Sequence, residues 1–229
     1  MSKRAKTRMQ QKNKIRNRRF IIAVVGVIAV IASVLVIRQS NESAEDIIVV
    51  NKDVPSYADN RALGSIEAPI LIQDFSNFPC PHCRSLAMDT LPLIKDLFIE
   101  SGLVRYEYHY ATFDQSVGRF AAEAAECANQ QQMFWPYHDM LFANQTGTKD
   151  QFSEERLLDF AKELDIDLAQ FRTCLLEGES TEAVEKDAVL ALEMGVRATP
   201  TLFINGEMFE GAQSFEMYKE IIESNLEKK

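Results

Sequence analysis

Paired metal ligands are scarce in this chain. It has four cysteines and three histidines in 229 residues, with one Cys-x-x-Cys (Cys80 and Cys83), no second such pair and no His-x-x-x-His. Structural zinc sites draw their ligands in close pairs. A zinc site here would have to join Cys80 and Cys83 to two of Cys127, Cys174, His109 and His138, so no metal is expected. A c-type haem needs His directly after the second cysteine, and residue 84 is Arg. Internal repeats and low-complexity tracts are absent as well.

Acid is missing from the N-terminus. Residues 1–19 carry nine Lys or Arg and no Asp or Glu, and residues 20–37 (FIIAVVGVIAVIASVLVI) carry no charge at all. As a helix those 18 residues would span about 27 Å, close to the hydrocarbon thickness of a bilayer. An apolar run without a polar face does not suit a surface helix. The basic flank is expected in the cytoplasm. No good A-x-A cleavage site stands out, since Ala29 and Ala32 are one residue too far apart, so residues 20–37 read as an uncleaved signal anchor, with a cleaved signal peptide as the alternative. The expectation is a single-pass protein of the cell membrane with its C-terminal part extracytoplasmic.

All 34 acids lie beyond residue 38, against 15 Lys or Arg there, a net of −19. Such a surface argues against nucleic acid and against docking on anionic lipid. Residues 38–61 are polar and mixed and read as a linker, in which DIIVV (46–50) could form a short strand or edge segment. Residues 62–229 suffice for one domain with a real core. Outside the cytoplasm, cysteine pairs tend towards disulfides, structural or redox-active.

Periodicity orders the elements. Residues 68–78 read as a strand covered on both faces. From Pro81 to about Glu100 the pattern is helical, with Leu86, Thr90, Leu93, Ile94 and Leu97 at spacings of three and four. Pro81 suits a first helical position. Residues 104–113 alternate as a second strand. Helical segments fill about 117–195, one opening at a partial capping box at Ser153, where Arg156 stands in place of the usual acid. Residues 199–206 return to strand, with Asn205-Gly206 as a hairpin signal, and an amphipathic helix closes the chain. The expected class is α/β: a strand–helix–strand unit and a strand–strand–helix unit with an all-helical insertion between them.

A Cys-x-x-Cys at a strand-to-helix junction has a mechanical logic. Unpaired amides and the helix dipole at the N-terminus favour a thiolate at Cys80 and lower its pKa. A stabilised thiolate favours the reduced form, so the disulfide becomes a stronger oxidant. Cys83 faces the same side and can close the bridge. His82 adds a donor or a positive charge near the Cys80 sulfur and pushes the couple further towards oxidant.

The combination of CPHC (80–83) after an acid-bearing strand, RATPTLFING (197–206) near the C-terminus and a helical block between them resembles the DsbA-like thiol:disulfide oxidoreductases of the thioredoxin fold. The resemblance covers residues 60–227. It implies that Cys80 is the exposed nucleophile and Cys83 the buried resolving partner, with Pro81 and His82 between them. It implies that Pro200 is the cis-proline beside the disulfide, with Thr199 offering backbone groups to an extended client. Asp74 sits where these proteins often carry a buried acid, which could relay the Cys83 proton; the plainer reading is a strand-end Asp bonded to backbone. No soluble cofactor is implied. The partners implied are unfolded or reduced exported proteins and a quinone-linked membrane oxidase of DsbB or VKOR-like type.

Cys127 and Cys174 both fall in the insertion. They read as a disulfide tying two helices, with two separate buried thiols or a second redox site as the other possibilities. Phe134, Trp135, Tyr137, Met140, Leu141 and Phe142 read as the insertion's core, His109 and His138 as packing or surface residues, and the acidic stretch 177–187 as a solvated helix face. The function these readings imply is a membrane-anchored thiol oxidase. The alternatives are a reductase or isomerase of the same fold and a non-catalytic peptide-binding module.

Overall fold

The computed structural model describes residues 47–113 and 117–228. The anchor expected over 20–37 and the basic segment before it lie outside the described residues. Among those described, no helix is long and apolar enough to cross a membrane.

The sheet has six strands: β1 (Ala58–Asp59), β2 (Ala62–Leu63), β3 (Ile70–Ser76), β4 (Val104–Tyr110), β5 (Thr201–Ile204) and β6 (Glu207–Glu210), in the order β1-β2-β4-β3-β5-β6. β3 lies at the centre, parallel to β4 and antiparallel to β5. Its apolar residues are needed on both faces: Ile70, Ile72 and Phe75 are fully buried. β5 and β6 form the expected hairpin, with Asn205 and Gly206 both at positive φ (49° and 87°). The Asn205 side chain also accepts from the Leu71 amide at 2.9 Å, fastening the turn to β3.

The stretch expected to be linker ends earlier than residue 61. β1 falls within its last residues and β2 directly after it, with β2 antiparallel to β4 (Ala62 opposite Glu107, Leu63 opposite Tyr106). Residues 47–50 form no strand. Ile48 is nevertheless fixed, because Asn144 accepts from its amide at 2.7 Å and donates to its carbonyl at 2.9 Å. A two-residue strand carries too little periodicity to stand out in sequence, and its pairing comes from the edge of β4.

The helix after β3, here α1, begins as Pro81–Ser85 and runs through a π turn (Leu86–Thr90), an α turn (Leu91–Ile94) and a second π turn (Lys95–Ile99). Pro92 lacks the amide that would bond four residues back, and the widened turn before it relieves that loss. The expected apolar face is corrected in consequence. Leu93 and Leu97 are 43% and 51% exposed, whereas Leu86, Thr90, Ile94 and Phe98, spaced by four, are buried. In a regular α-helix a spacing of four drifts by about 40° per step; wider turns take up that drift.

The insertion comprises α2 (Val117–Asn129), α3 (Phe134–Ala143), α4 (Glu154–Glu163), α5 (Leu168–Glu177) and α6 (Thr181–Glu193); α7 (Phe215–Glu227) closes the fold. Ala121, Ala122, Ala124, Ala125 and Ala128 leave α2 a small-residue face that is fully buried. Cys127 on α2 is disulfide-bonded to Cys174 on α5. Ser153 caps α4 by accepting from the Arg156 amide, and its own amide, which the acid of a full capping box would hold, donates to the Asp150 carbonyl at 3.0 Å. The six aromatic and aliphatic residues expected in the insertion's core, Phe134 to Phe142, are buried. The Trp135 indole donates to the Ala62 carbonyl at 3.2 Å, joining the insertion to β2.

The acidic stretch 177–187 is corrected at one residue. Asp187 is buried and accepts from the Tyr110 amide at 3.0 Å and from the Arg61 guanidinium. The helical wheel shows acids along this segment but not that one of them meets an arginine 126 residues earlier.

Candidate active site

Cys80 is the N-cap of α1, with extended backbone (φ −79°, ψ 122°), and its side chain makes no capping hydrogen bond. Ser, Thr, Asp or Asn usually occupy this position; a cysteine there has its thiol pKa lowered by the backbone amides of Cys83 and His82. Pro81 follows at the first helical position, where its missing amide removes no helical bond. Cys83, one turn on, points inward and is 1% exposed, while Cys80 is half-buried. The turn before them is held by the Cys80 amide on the Asn77 carbonyl (3.0 Å) and by the Asn77 amide on the Cys83 sulfur (3.4 Å).

The two thiols are driven apart in acidity. Cys80 is lowered to about 5. The largest cause is the hydrogen bond from the Cys83 thiol. Burial opposes it, and a hydrogen bond from the Thr199 side chain and the backbone amides of Cys83 and His82 assist. Cys83 is pushed well above the usual thiol range, first by burial, then by the proton it shares with Cys80 and by the charge of Asp74. His82 is exposed, and its contribution to the Cys80 sulfur comes through its backbone amide.

Thr199 and Pro200 come to the site from 119 residues further on. The Thr199–Pro200 bond is cis. In its protonated state the Cys80 thiol donates to the Thr199 carbonyl at 3.3 Å. Pro200 is buried and Thr199 half-buried, so the threonine is the member of the pair that borders solvent beside the sulfur.

Asp74 lies on β3 beneath the cysteines and is buried. Burial raises its pKa to about 6, against hydrogen bonds from Ser76 (2.5 Å) and the Tyr106 hydroxyl (2.7 Å). Its bonds are thus to side chains, where the plainer reading expected backbone. A carboxyl at that pKa exchanges protons near neutral pH. Ser76 and Tyr106 were not picked out from sequence, although period two marks both: Ser76 shares Asp74's face of β3, and Tyr106 lies on the inward face of β4 with Tyr108 and Tyr110.

Gln145, in the loop after α3, also reaches the site, donating to the Phe78 carbonyl at 2.6 Å and the Cys80 carbonyl at 3.1 Å. Nothing local in sequence distinguishes it from any polar residue after a helix. His109 and His138 are not brought to the cysteines. His109 stacks on Phe75 at 4.7 Å between ring centroids, and His138 is enclosed by Phe78, Tyr108, Phe134, Trp135 and Phe142. Among the described residues no cluster of three or more His, Cys, Asp or Glu could hold a metal. A low-pKa, accessible thiol over a buried high-pKa thiol, with an exchangeable carboxyl beneath, has the parts for thiol–disulfide exchange.

Comparisons with known proteins agree with that chemistry. The sequence model of the family described as Thioredoxin (Thioredoxin_4) matches residues 57–224. The probable disulfide bond formation protein D of Bacillus anthracis is 31% identical over 179 residues, 76% of this chain and 81% of that protein. Disulfide bond formation protein D of Bacillus subtilis (strain 168) is 30% identical over 179 residues, with the same two shares. The crystal structure of oxidised BdbD from Bacillus subtilis superposes with a TM-score of 0.68 at 29% identity, covering 73% of this chain and 92% of that one.

Proposed function

We propose that this chain, which belongs to the DsbA-like thiol:disulfide oxidoreductases of the thioredoxin family, works as an oxidase that hands the Cys80–Cys83 disulfide to exported proteins. The observation that carries the direction is the thiol of Cys80 held at about 5. A thiol that is anionic at neutral pH is a good leaving group, and its stability in the reduced form makes the disulfide oxidising.

The steps follow from the two pKa directions. A client thiolate attacks the Cys80 sulfur, the Cys80–Cys83 bond breaks, and Cys83 leaves with the electron pair. Its raised pKa demands a proton at once, and Asp74, near neutral in its own titration, supplies it. A second client thiolate then attacks the client sulfur of the mixed disulfide, and Cys80 departs as the stabilised thiolate. The client loses two electrons and the enzyme gains them. Thr199 and Pro200 border the attacked sulfur, and an extended client segment would pair with the Thr199 backbone.

Reoxidation needs an acceptor for those two electrons. A quinone-linked membrane oxidase of DsbB or VKOR-like type meets that need without a soluble cofactor. Residues 20–37 supply the anchor, with the basic N-terminus cytoplasmic and the catalytic domain outside. The names of the Bacillus relatives support disulfide formation over reduction.

The test is the redox potential of the full chain in detergent, equilibrated against glutathione, alongside oxidative refolding of a reduced client. The oxidase reading expects a potential well above thioredoxin's, about −270 mV, and client oxidation without added reductant. A potential near thioredoxin's would show a reductase instead. Full activity in Cys80→Ser would show a binding module.

A further inference from the structure

A side-chain amide of the insertion side holds the turn that carries Cys80. Gln145 Nε2 has two hydrogens, and both are used: one on the Phe78 carbonyl (2.6 Å), one on the Cys80 carbonyl (3.1 Å). These carbonyls flank Pro79, which has no amide with which to tie the turn itself. The Cys80 carbonyl also accepts the first helical bond of α1, from the Arg84 amide at 3.1 Å. Gln145 therefore bridges the residue that presents the sulfur and the loop leading into it.

The base of Gln145 is anchored in turn. Its neighbour Asn144 is buried, and its side chain holds both backbone groups of Ile48 as well as the Met140 carbonyl. Three residues back, the Phe142 carbonyl accepts from Arg84 Nε of α1 at 2.9 Å. The end of α3 is thus fixed to α1 through Arg84 and to the backbone of Ile48 through Asn144, and Gln145 projects from that fixed point onto the Cys80 turn.

We propose that Gln145 is a positioning residue for Cys80, its amide holding the Phe78–Cys80 turn so that the first amides of α1 stay aimed at the sulfur. This rests on the reading of Cys80 as nucleophile. The residue type follows from the chemistry of the two acceptors. A carboxylate in that place would set a full negative charge against two carbonyl oxygens and beside a thiolate. A thioether of equal length would fill the space and donate nothing, taking the Gln145 donor from the Phe78 oxygen and leaving the Cys80 oxygen with the Arg84 amide alone.

The test uses the full chain, reduced, in detergent. Alkylation by iodoacetamide at pH 5.5 is timed, the labelled cysteine is identified by peptide mapping, and turnover is measured on a dithiol peptide. Gln145→Met should slow alkylation of Cys80 by about threefold at this pH, the loss of thiolate that a rise of one pKa unit from about 5 produces. It should lower kcat with KM unchanged. Gln145→Glu preserves the shape should the methionine variant fail to fold, and it should be slower than wild type by at least as much. Wild-type alkylation rates and kcat in the folded variants would overturn the proposal, even if their melting temperatures fell. Labelling of Cys83 in place of Cys80 in the wild type would overturn the nucleophile reading, and this one with it.

Discussion

The Tyr106 hydroxyl donates to the Asp74 carboxyl at 2.7 Å, 32 residues away in the chain and on the neighbouring strand. That bond and the one from Ser76 are what Asp74 receives in exchange for losing water, and burial outweighs them: the pKa stands raised, at about 6. An acid raised in the folded state binds its proton more tightly there than when unfolded. Its stabilising effect is full below the unfolded value, near 3.9, and is lost as pH rises through about 6.

Asp74→Asn is therefore expected to stabilise the folded protein at pH 7.5 by on the order of 3 kcal/mol and to leave stability almost unchanged at pH 3.5. Denaturant unfolding of the reduced protein at the two pH values measures this. The same variant should slow client oxidation, because the departing Cys83 loses its proton donor.

Cys80 has the opposite sign. Its folded pKa, about 5, is below the free value of about 8.5. The stabilisation of the reduced protein is full above that free value, partial at pH 7 and lost as pH falls through about 5. The melting temperature of the reduced form minus that of the oxidised form should fall by several degrees between pH 8 and pH 4.5. In Cys80→Ser exposed to the same reductant, no such pH dependence of melting should remain over that range from this thiol.

The Cys127–Cys174 bridge closes a separation of 47 residues. Replacing both cysteines by alanine should destabilise the domain by about 4 kcal/mol on the chain-entropy account. The alkylation rate of Cys80 should not change, since the bridge lies in the insertion. Denaturant unfolding and timed alkylation report the two quantities separately.

Arg61 ties three elements together. Its guanidinium pairs with Asp187 on α6, lies 3.3 Å from Glu126 on α2 and donates to the Tyr108 carbonyl on β4 at 3.3 Å. Burial pushes the Asp187 carboxyl up, but His109 and Arg61 more than offset it and hold its pKa below the ordinary value. Arg61→Ala leaves two largely buried carboxylates without their cation and should cost about 3 kcal/mol at pH 7. Because the Asp187 pKa is depressed, that cost should shrink as pH falls below about 4, which unfolding curves at pH 7 and pH 3.5 would register.

Much of this molecule was legible from residue order because its elements are strongly periodic. The alternation Val104, Tyr106, Tyr108, Tyr110 declares β4 and its inward face, and Asn205-Gly206 declares the hairpin. Cys80 and Cys83 announce themselves by spacing and by Pro81 at the helix start. Legibility failed where a partner far along the chain decides the outcome. Arg61 looked like a linker residue because Asp187 and Glu126, which tie it to the domain, are 126 and 65 positions away. Gln145 was silent because its acceptors are backbone carbonyls, which have no residue signature. In α1 the local pattern itself misled: Leu93 and Leu97 fit a regular helix, but π turns around Pro92 rotate them into solvent.

The oxidising direction depends on the acidity of one thiol, Cys80. Titration of the reduced full chain, followed by thiolate absorbance near 240 nm with Cys83→Ala and Cys80→Ser as references, reads it directly. A first midpoint near 5 that disappears in Cys80→Ser is the predicted result. A Cys80 midpoint near the free cysteine value of about 8.5 would contradict it, and with it the oxidising direction.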